Sequence, residues 1–156
     1  AKGIAGGLPL AAVTGRAEIM DAPHAGGLGG TYGGNPVATA AALGALTAYD
    51  EHDLLGRALE LEEIIRDELT TLQARDGRIG DIRGRGAMMA IELTDAEGKP
   101  DAALTGKVAK HCHLNGVIVL TCGTDGNVIR LLPPLSIGDE LLREGIRVIG
   151  EALEVN

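Results

Sequence analysis

IGDIRGRGAMMAIEL, residues 79–93, is where the chain changes its periodicity, and the reading of the C-terminal half follows from that change. Residues 79–82 and 87–93 read as two strands, joined by the turn Arg83-Gly84-Arg85-Gly86. Residues 95–100 form a polar turn, and residues 101–115 read as a helix closed by Gly116. Residues 117–121 and 128–132 read as two more strands, separated by the glycine-containing turn at 123–127 and stopped by Pro133-Pro134. Ser136 with Asp139 approximates a capping box. Residues 139–155 then read as the last helix, with Leu141, Leu142, Ile146, Ile149 and Leu153 turned inward. The order β-β-α-β-β-α predicts a small α+β unit with helices on one face of a mainly antiparallel sheet.

Upstream, Leu54, Leu55, Ala58, Leu61, Ile65, Leu69 and Leu72 recur at three- and four-residue steps, with acidic and basic residues between them. That spacing predicts a long amphipathic helix, capped by Asp53 and ended near Asp76-Gly77 with Gly77 in the left-handed conformation. A boundary is expected near residue 77. Residues 37–49 (VATAAALGALTAY) are almost wholly small and apolar, so the helix they form after Asn35-Pro36 is expected to be buried. Ten of the first 35 residues are glycine, against an average usage of about 7%. Only residues 10–14 suggest a strand there, and residues 16–21 suggest a helical turn. The stretch HAGGLGGTYGGNP, residues 24–36, is a loop without the spacing of a dinucleotide fingerprint or a P-loop. It is either a mobile linker or a backbone surface for an anion, with the Thr31 hydroxyl as an added donor.

Composition narrows the function classes. The 156 residues carry a net charge of −8, which disfavours non-specific attachment to nucleic acid or anionic membrane. With no Trp or Phe and only Tyr32 and Tyr49, a base-stacking platform is missing. Cys112 and Cys122 form no CxxC, so a reduced, buried state in a cytoplasmic setting is expected. His111-Cys112-His113 suggests no metal site, because adjacent helical residues diverge. No apolar run reaches membrane-spanning length, and no leader of the signal-peptide kind is read.

Two residues carry candidate chemistry of their own. Lys2 stands against Gly3, Gly6 and Gly7, which let a backbone pass close to a ligand. Its amine is either a solvated charge or, with its pKa lowered, a nucleophile for a carbonyl. Arg130, in NVIRLLPPL (residues 127–135), stands between apolar residues on a strand whose faces alternate. Such an arginine is either half of a structural ion pair or a bidentate anchor for a carboxylate ligand.

Three separated motifs, AKGIAGGLPLAAVTGRAEIMD (residues 1–21), GGTYGGNP (29–36) and IRLLPPL (129–135), together resemble the class III pyridoxal-phosphate-dependent aminotransferases. Within that class the first motif is most similar to the 4-aminobutyrate branch; acetylornithine and other ω-amino-acid aminotransferases are also similar. The resemblance covers essentially the whole chain. It implies an α/β fold, the C-terminal part of a fold-type I transferase. Residues 1–52 would come from the large cofactor domain, 53–77 from a connecting helix and 78–156 from a small α+β domain. Lys2 would carry pyridoxal 5'-phosphate as a Schiff base, and Thr31 would bind its phosphate in the other subunit of a homodimer. Arg130 would grip the substrate α-carboxylate. The activity implied is transfer of the amino group of 4-aminobutyrate to 2-oxoglutarate. The family's aspartate on the pyridine nitrogen, its phosphate loop, its ring-stacking aromatic and the glutamate that partners the substrate arginine fall outside these residues, so the chain alone is expected to show little activity. The rival is a non-catalytic carboxylate-binding or dimerisation module built on residues 79–156.

Overall fold

The computed structural model describes residues 2–31 and 33–156, with only the backbone of Lys2. The chain divides into two compact units, Ala1–Leu54 and Leu55–Asn156.

The first unit holds a 3₁₀ turn at Lys2–Ala5, a one-turn helix α1 (Ala17–Met20) and the helix α2 (Pro36–Glu51). Asn35 starts α2 as its sequence requires. Its side-chain oxygen accepts the N–H groups of Val37 and Ala38 at 3.0 and 3.2 Å, and Pro36 takes the first helical position, where no N–H is needed. The expected burial of α2 is not realised. Only Ala38 and Ala42 are buried, while Val37, Leu43 and Leu46 are 65%, 67% and 58% exposed. The glycine-rich residues before α2 supply little to cover it beyond the 3₁₀ turn and its buried Ala5. Residues 10–14 do not form the expected strand: none of the strands among the described residues pairs with them to take up their backbone groups.

The second unit is built on α3 (Leu54–Arg75), β1 (Ile79–Arg85), β2 (Met88–Leu93), α4 (Ala102–Leu114), β3 (Leu120–Cys122), β4 (Val128–Leu131) and α5 (Asp139–Glu154). The four strands make one antiparallel sheet in the order β1-β2-β4-β3. Leu61, Ile65 and Leu69 of α3 are fully buried in the same core as Met89, Ile91 and Leu93 of β2. The long helix therefore packs as part of the sheet unit, and the division falls at Leu54 rather than at residue 77.

Local chemistry explains where the elements stop. Gly77 does not adopt a positive φ after α3. Instead Asp76 turns the chain, its carboxylate accepting the backbone N–H of Arg78 at 3.0 Å and pairing with the Arg78 guanidinium at 2.7 Å. Arg78 also donates to the carbonyl of Leu153 at 2.6 Å, tying this corner to the end of α5. The β1–β2 hairpin needs Gly84, at φ +147°, because a Cβ there would stand 2.2 Å from the Met88 carbonyl oxygen. The Gly86 N–H donates to Glu62 of α3 at 2.6 Å. Asp101 caps α4 through the N–H of Leu104. The capping box expected at Ser136 and Asp139 does not form. The cap position is Gly138, and Asp139 is already the first helical residue. Leu142, Ile146, Ile149 and Leu153 face inward as their spacing requires, but Leu141 is 62% exposed.

Candidate functional site

Arg130 lies on the face of the sheet opposite the helices. Ile129 pairs with Ile91, and both are fully buried on the helix side. Side chains of paired residues share a face and alternate along a strand. Arg130 therefore lies on the outer face with its partners Ala90 of β2 and Leu120 of β3. Neither neighbour can receive its charge. The Nε of Arg130 is buried with no hydrogen-bond partner, and the guanidinium makes no ion pair among the described residues. The structural ion pair considered for this arginine is thus not formed within the chain. A planar cation left without a partner between Ala90 and Leu120 can bind a carboxylate through two parallel hydrogen bonds.

Asn127 and Arg57 hold the two ends of β4. Asn127 is buried and donates its side-chain N–H to the Leu93 carbonyl at 3.2 Å, while its own carbonyl accepts the Leu93 N–H at 2.8 Å. Beyond β4, Arg57 of α3 donates to the carbonyls of Leu135 and Ile137 at 3.4 and 2.8 Å and pairs with Asp139 at 2.6 Å. Sequence reading missed the roles of both residues, because their partners lie 34 to 82 positions away. Arg83 bridges Asp81 and Glu92 within the sheet, at 2.6 and 2.7 Å. These two carboxylates raise its pKa, the hydrogen bond to Glu92 first. Arg85 does act toward the helix: its charge adds to the Arg66 and Gly86 hydrogen bonds that lower the pKa of Glu62.

In the first unit, Lys2 opens the 3₁₀ turn. The Gly6 N–H closes on the Gly3 carbonyl at 3.0 Å, and Gly6 and Gly7 follow with φ of +58° and +110°. A Cβ placed on Gly3, Gly6 or Gly7 would meet nothing within 4 Å, so the backbone beside Lys2 offers room for a bulky group. The Lys2 side chain lies outside what the structure describes. Thr31 is exposed, and its hydroxyl has no hydrogen-bond partner among the described residues. Gly33 N–H to Gly30 carbonyl, at 2.9 Å, turns the loop around it. Tyr32, the next residue in the loop, lies outside the described residues. No backbone hydrogen bond among the described residues joins this loop to the turn at residues 2–5.

Other candidates carry less chemistry. Among the described residues no group of three His, Cys, Asp or Glu could hold a metal ion. His113 instead has Nε2 3.1 Å from the Val119 carbonyl. Cys112 and Cys122 are free thiols, and burial pushes the Cys112 thiol up to about 11. An apolar groove of about 400 Å³ between α5 and the chain around Ile118 and Leu132 has Glu144 as its single charged lining residue. No helix of the described residues is long and apolar enough to cross a membrane.

The sequence profile of the Aminotransferase class-III family matches residues 1–153. The chain belongs to this family. The class-III chain is 62% identical over 150 residues to the 4-aminobutyrate aminotransferase of Mycobacterium tuberculosis, covering 96% of this chain and 33% of that protein. It is 47% identical to the 4-aminobutyrate aminotransferase of Escherichia coli, covering 99% of this chain and 37% of that protein. Among solved structures, the ornithine aminotransferase from Toxoplasma gondii, described with partial occupancy of PLP at its active site, superposes with a TM-score of 0.76 at 35% identity. That match covers 90% of this chain and 32% of the other. The chain spans about a third of the length of the relatives it matches. The fold class expected from the sequence, α/β of the fold-type I aminotransferases, holds.

Proposed function

We propose that this chain is the part of a pyridoxal-phosphate-dependent aminotransferase that carries the cofactor lysine and the substrate-carboxylate arginine. The reaction is transfer of the amino group of 4-aminobutyrate to 2-oxoglutarate, giving succinate semialdehyde and L-glutamate. The observation that carries this reading is the high identity to 4-aminobutyrate aminotransferases across nearly the whole chain. Residues 1–54 then belong to the large cofactor domain, and residues 55–156, with the long helix packed into their core, to the small domain. The two free cysteines suit a reducing compartment such as the cytoplasm.

The residues present fit the cofactor. The glycines after Lys2 leave open space, and the Thr31 hydroxyl is an uncommitted donor. When bound, pyridoxal phosphate supplies an electron sink for the carbon that loses a proton. Lys2 would hold the cofactor covalently, and its Nζ is the group that would carry the proton to and from the substrate carbon. Thr31 donates its hydroxyl to the cofactor phosphate in the neighbouring subunit, so a homodimer completes each site. Arg130 binds the α-carboxylate of 2-oxoglutarate or glutamate, for which its unpaired guanidinium is suited.

Borohydride reduction of the cofactor-loaded enzyme, followed by peptide mapping, should fix pyridoxyl phosphate at Lys2. A label on another lysine would refute the assignment. A coupled assay with 4-aminobutyrate and 2-oxoglutarate should give ping-pong kinetics in the whole enzyme and no product above blank with residues 1–156 alone. Turnover by this chain alone would overturn the proposed division of labour.

A further inference from the structure

Arg130 stands where β4 runs out of partners. Its neighbour Leu120 is the last that β3 offers, and on β2 only the pair Met89–Leu131 follows. Terminal pairs of a ladder open most readily. Beyond Leu131 the ladder cannot continue through Pro133 and Pro134, which have no N–H. The same prolines stiffen the chain. Each fixes its own φ and confines the residue before it to extended conformations, so residues 132–134 form a short, stiff span. A constraint at the far end of that span is felt at Arg130.

The far end is held from α3. Every nitrogen of the Arg57 guanidinium is engaged. Its Nε donates to the Leu135 carbonyl at 3.4 Å, and Nη2 donates to the Ile137 carbonyl at 2.8 Å and to Asp139 at 2.6 Å. Its Nη1 donates to Glu60 at 3.1 Å. Leu135 and Ile137 pack their side chains against the core, and the Ile137 N–H closes a turn on the Pro134 carbonyl at 3.0 Å. A guanidinium suits this place because its donors form a rigid planar fork.

We propose that Arg57 is a positioning residue for Arg130: by holding the carbonyls of Leu135 and Ile137 it sets where the Arg130 guanidinium stands, and so contributes to recognition of substrates that present an α-carboxylate. This rests on the substrate role proposed for Arg130. The glutamate that the family resemblance gives that arginine lies outside these residues. Arg57 sets the place of the arginine whichever carboxylate it meets.

The discriminating experiment compares Arg57→Ala with Asp139→Asn in the whole enzyme. Both lose the ion pair between these residues, but only the first loses the bonds to the two carbonyls. Arg57→Ala should lower kcat/KM for 2-oxoglutarate about tenfold. For 4-aminobutyrate, which has no α-carboxylate, the fall should stay below about threefold. Asp139→Asn should keep both constants within about threefold of wild type. An equal fall for the two substrates, no fall, or an equal loss in Asp139→Asn overturns the proposal.

A second readout needs no turnover. In hydrogen exchange of the whole enzyme, the amides of residues 128–132 should exchange about tenfold faster in Arg57→Ala, while those of the β1–β2 hairpin keep their rate. Unchanged β4 amides, or hairpin amides accelerated as much, refute the clamp. If Arg130→Met leaves 2-oxoglutarate use intact, the substrate role of Arg130 has failed, and hydrogen exchange still decides whether Arg57 holds β4. Arg57→Gln, whose shorter amide cannot span both carbonyls, replaces Arg57→Ala in both experiments should the latter not fold.

Discussion

Replacing Arg130 by methionine should leave the chain at least as stable as before, and the sign of that change separates the two readings of this arginine. Its Nε is buried without a partner, a situation that costs about 1–3 kcal/mol for an unsatisfied donor. Methionine keeps an unbranched stem beside Ala90 and Leu120 and removes the donor. No carboxylate loses a partner, because none is bound to Arg130 in the chain. The expected net change is a gain of about 1 kcal/mol, after allowing for lost contact of the guanidinium with water, or a rise in Tm of about 2–4 °C. Had Arg130 been half of a buried structural pair, the same substitution would cost about 3–5 kcal/mol by stranding the other half. Urea unfolding of residues 1–156 followed by far-ultraviolet circular dichroism is the assay, since the chain has no tryptophan to report by fluorescence. A fall of more than about 1 kcal/mol in Arg130→Met would refute the reasoning.

Three further outcomes are expected. Gly84→Ala should destabilise the chain by about 3 kcal/mol, measured by urea unfolding, because its Cβ would stand 2.2 Å from the Met88 carbonyl oxygen and 2.6 Å from the Met89 Cα at a φ of +147°. Asp76→Asn should cost about 1–2 kcal/mol near pH 7 and nothing at low pH. The hydrogen bonds from Arg78 hold the Asp76 carboxyl below its usual value, so its contribution is complete above the unfolded-state pKa of about 3.9 and disappears as pH falls through the lower folded value. Stability curves of the two proteins should therefore converge once pH has fallen through that lower folded value. Thiol titration at pH 8 should label Cys122 rapidly and Cys112 only after unfolding, because burial raises the Cys112 thiol to about 11.

Much of the fold was legible because its signals are local. Leu142, Ile146, Ile149 and Leu153 follow helical spacing and are all buried, and Asn35 and Asp101 cap the helices they precede. The failures share one cause, which is dependence on something distant. Residues 10–14 have strand composition but pair with no strand among the described residues. The apolar α2 has the composition of a core helix, yet its own unit supplies little to cover it. Leu141 is as apolar as Leu142, but one residue is about 100° of helical rotation, and the core takes only one of the pair. Lys2, Thr31 and Arg130 were found as motifs. The ion pair that Arg130 does not make could not be read, because it depends on which strands flank β4.

The strand order gives Arg130 its chemistry. β4 is an interior strand, paired on both sides, so its arginine meets Ala90 and Leu120 where an edge strand would meet water. A slip of β4 by one residue would carry Arg130 to the helix side, among fully buried Met89 and Ile91, and bring Ile129 out. A strand of four residues holds its register weakly by ladder bonds alone. Asn127 on Leu93 and Arg57 on Leu135 and Ile137 supply the missing constraint from either end. Desolvation of the Arg130 Nε is therefore imposed by the sheet, at a cost to stability that a bound carboxylate would offset.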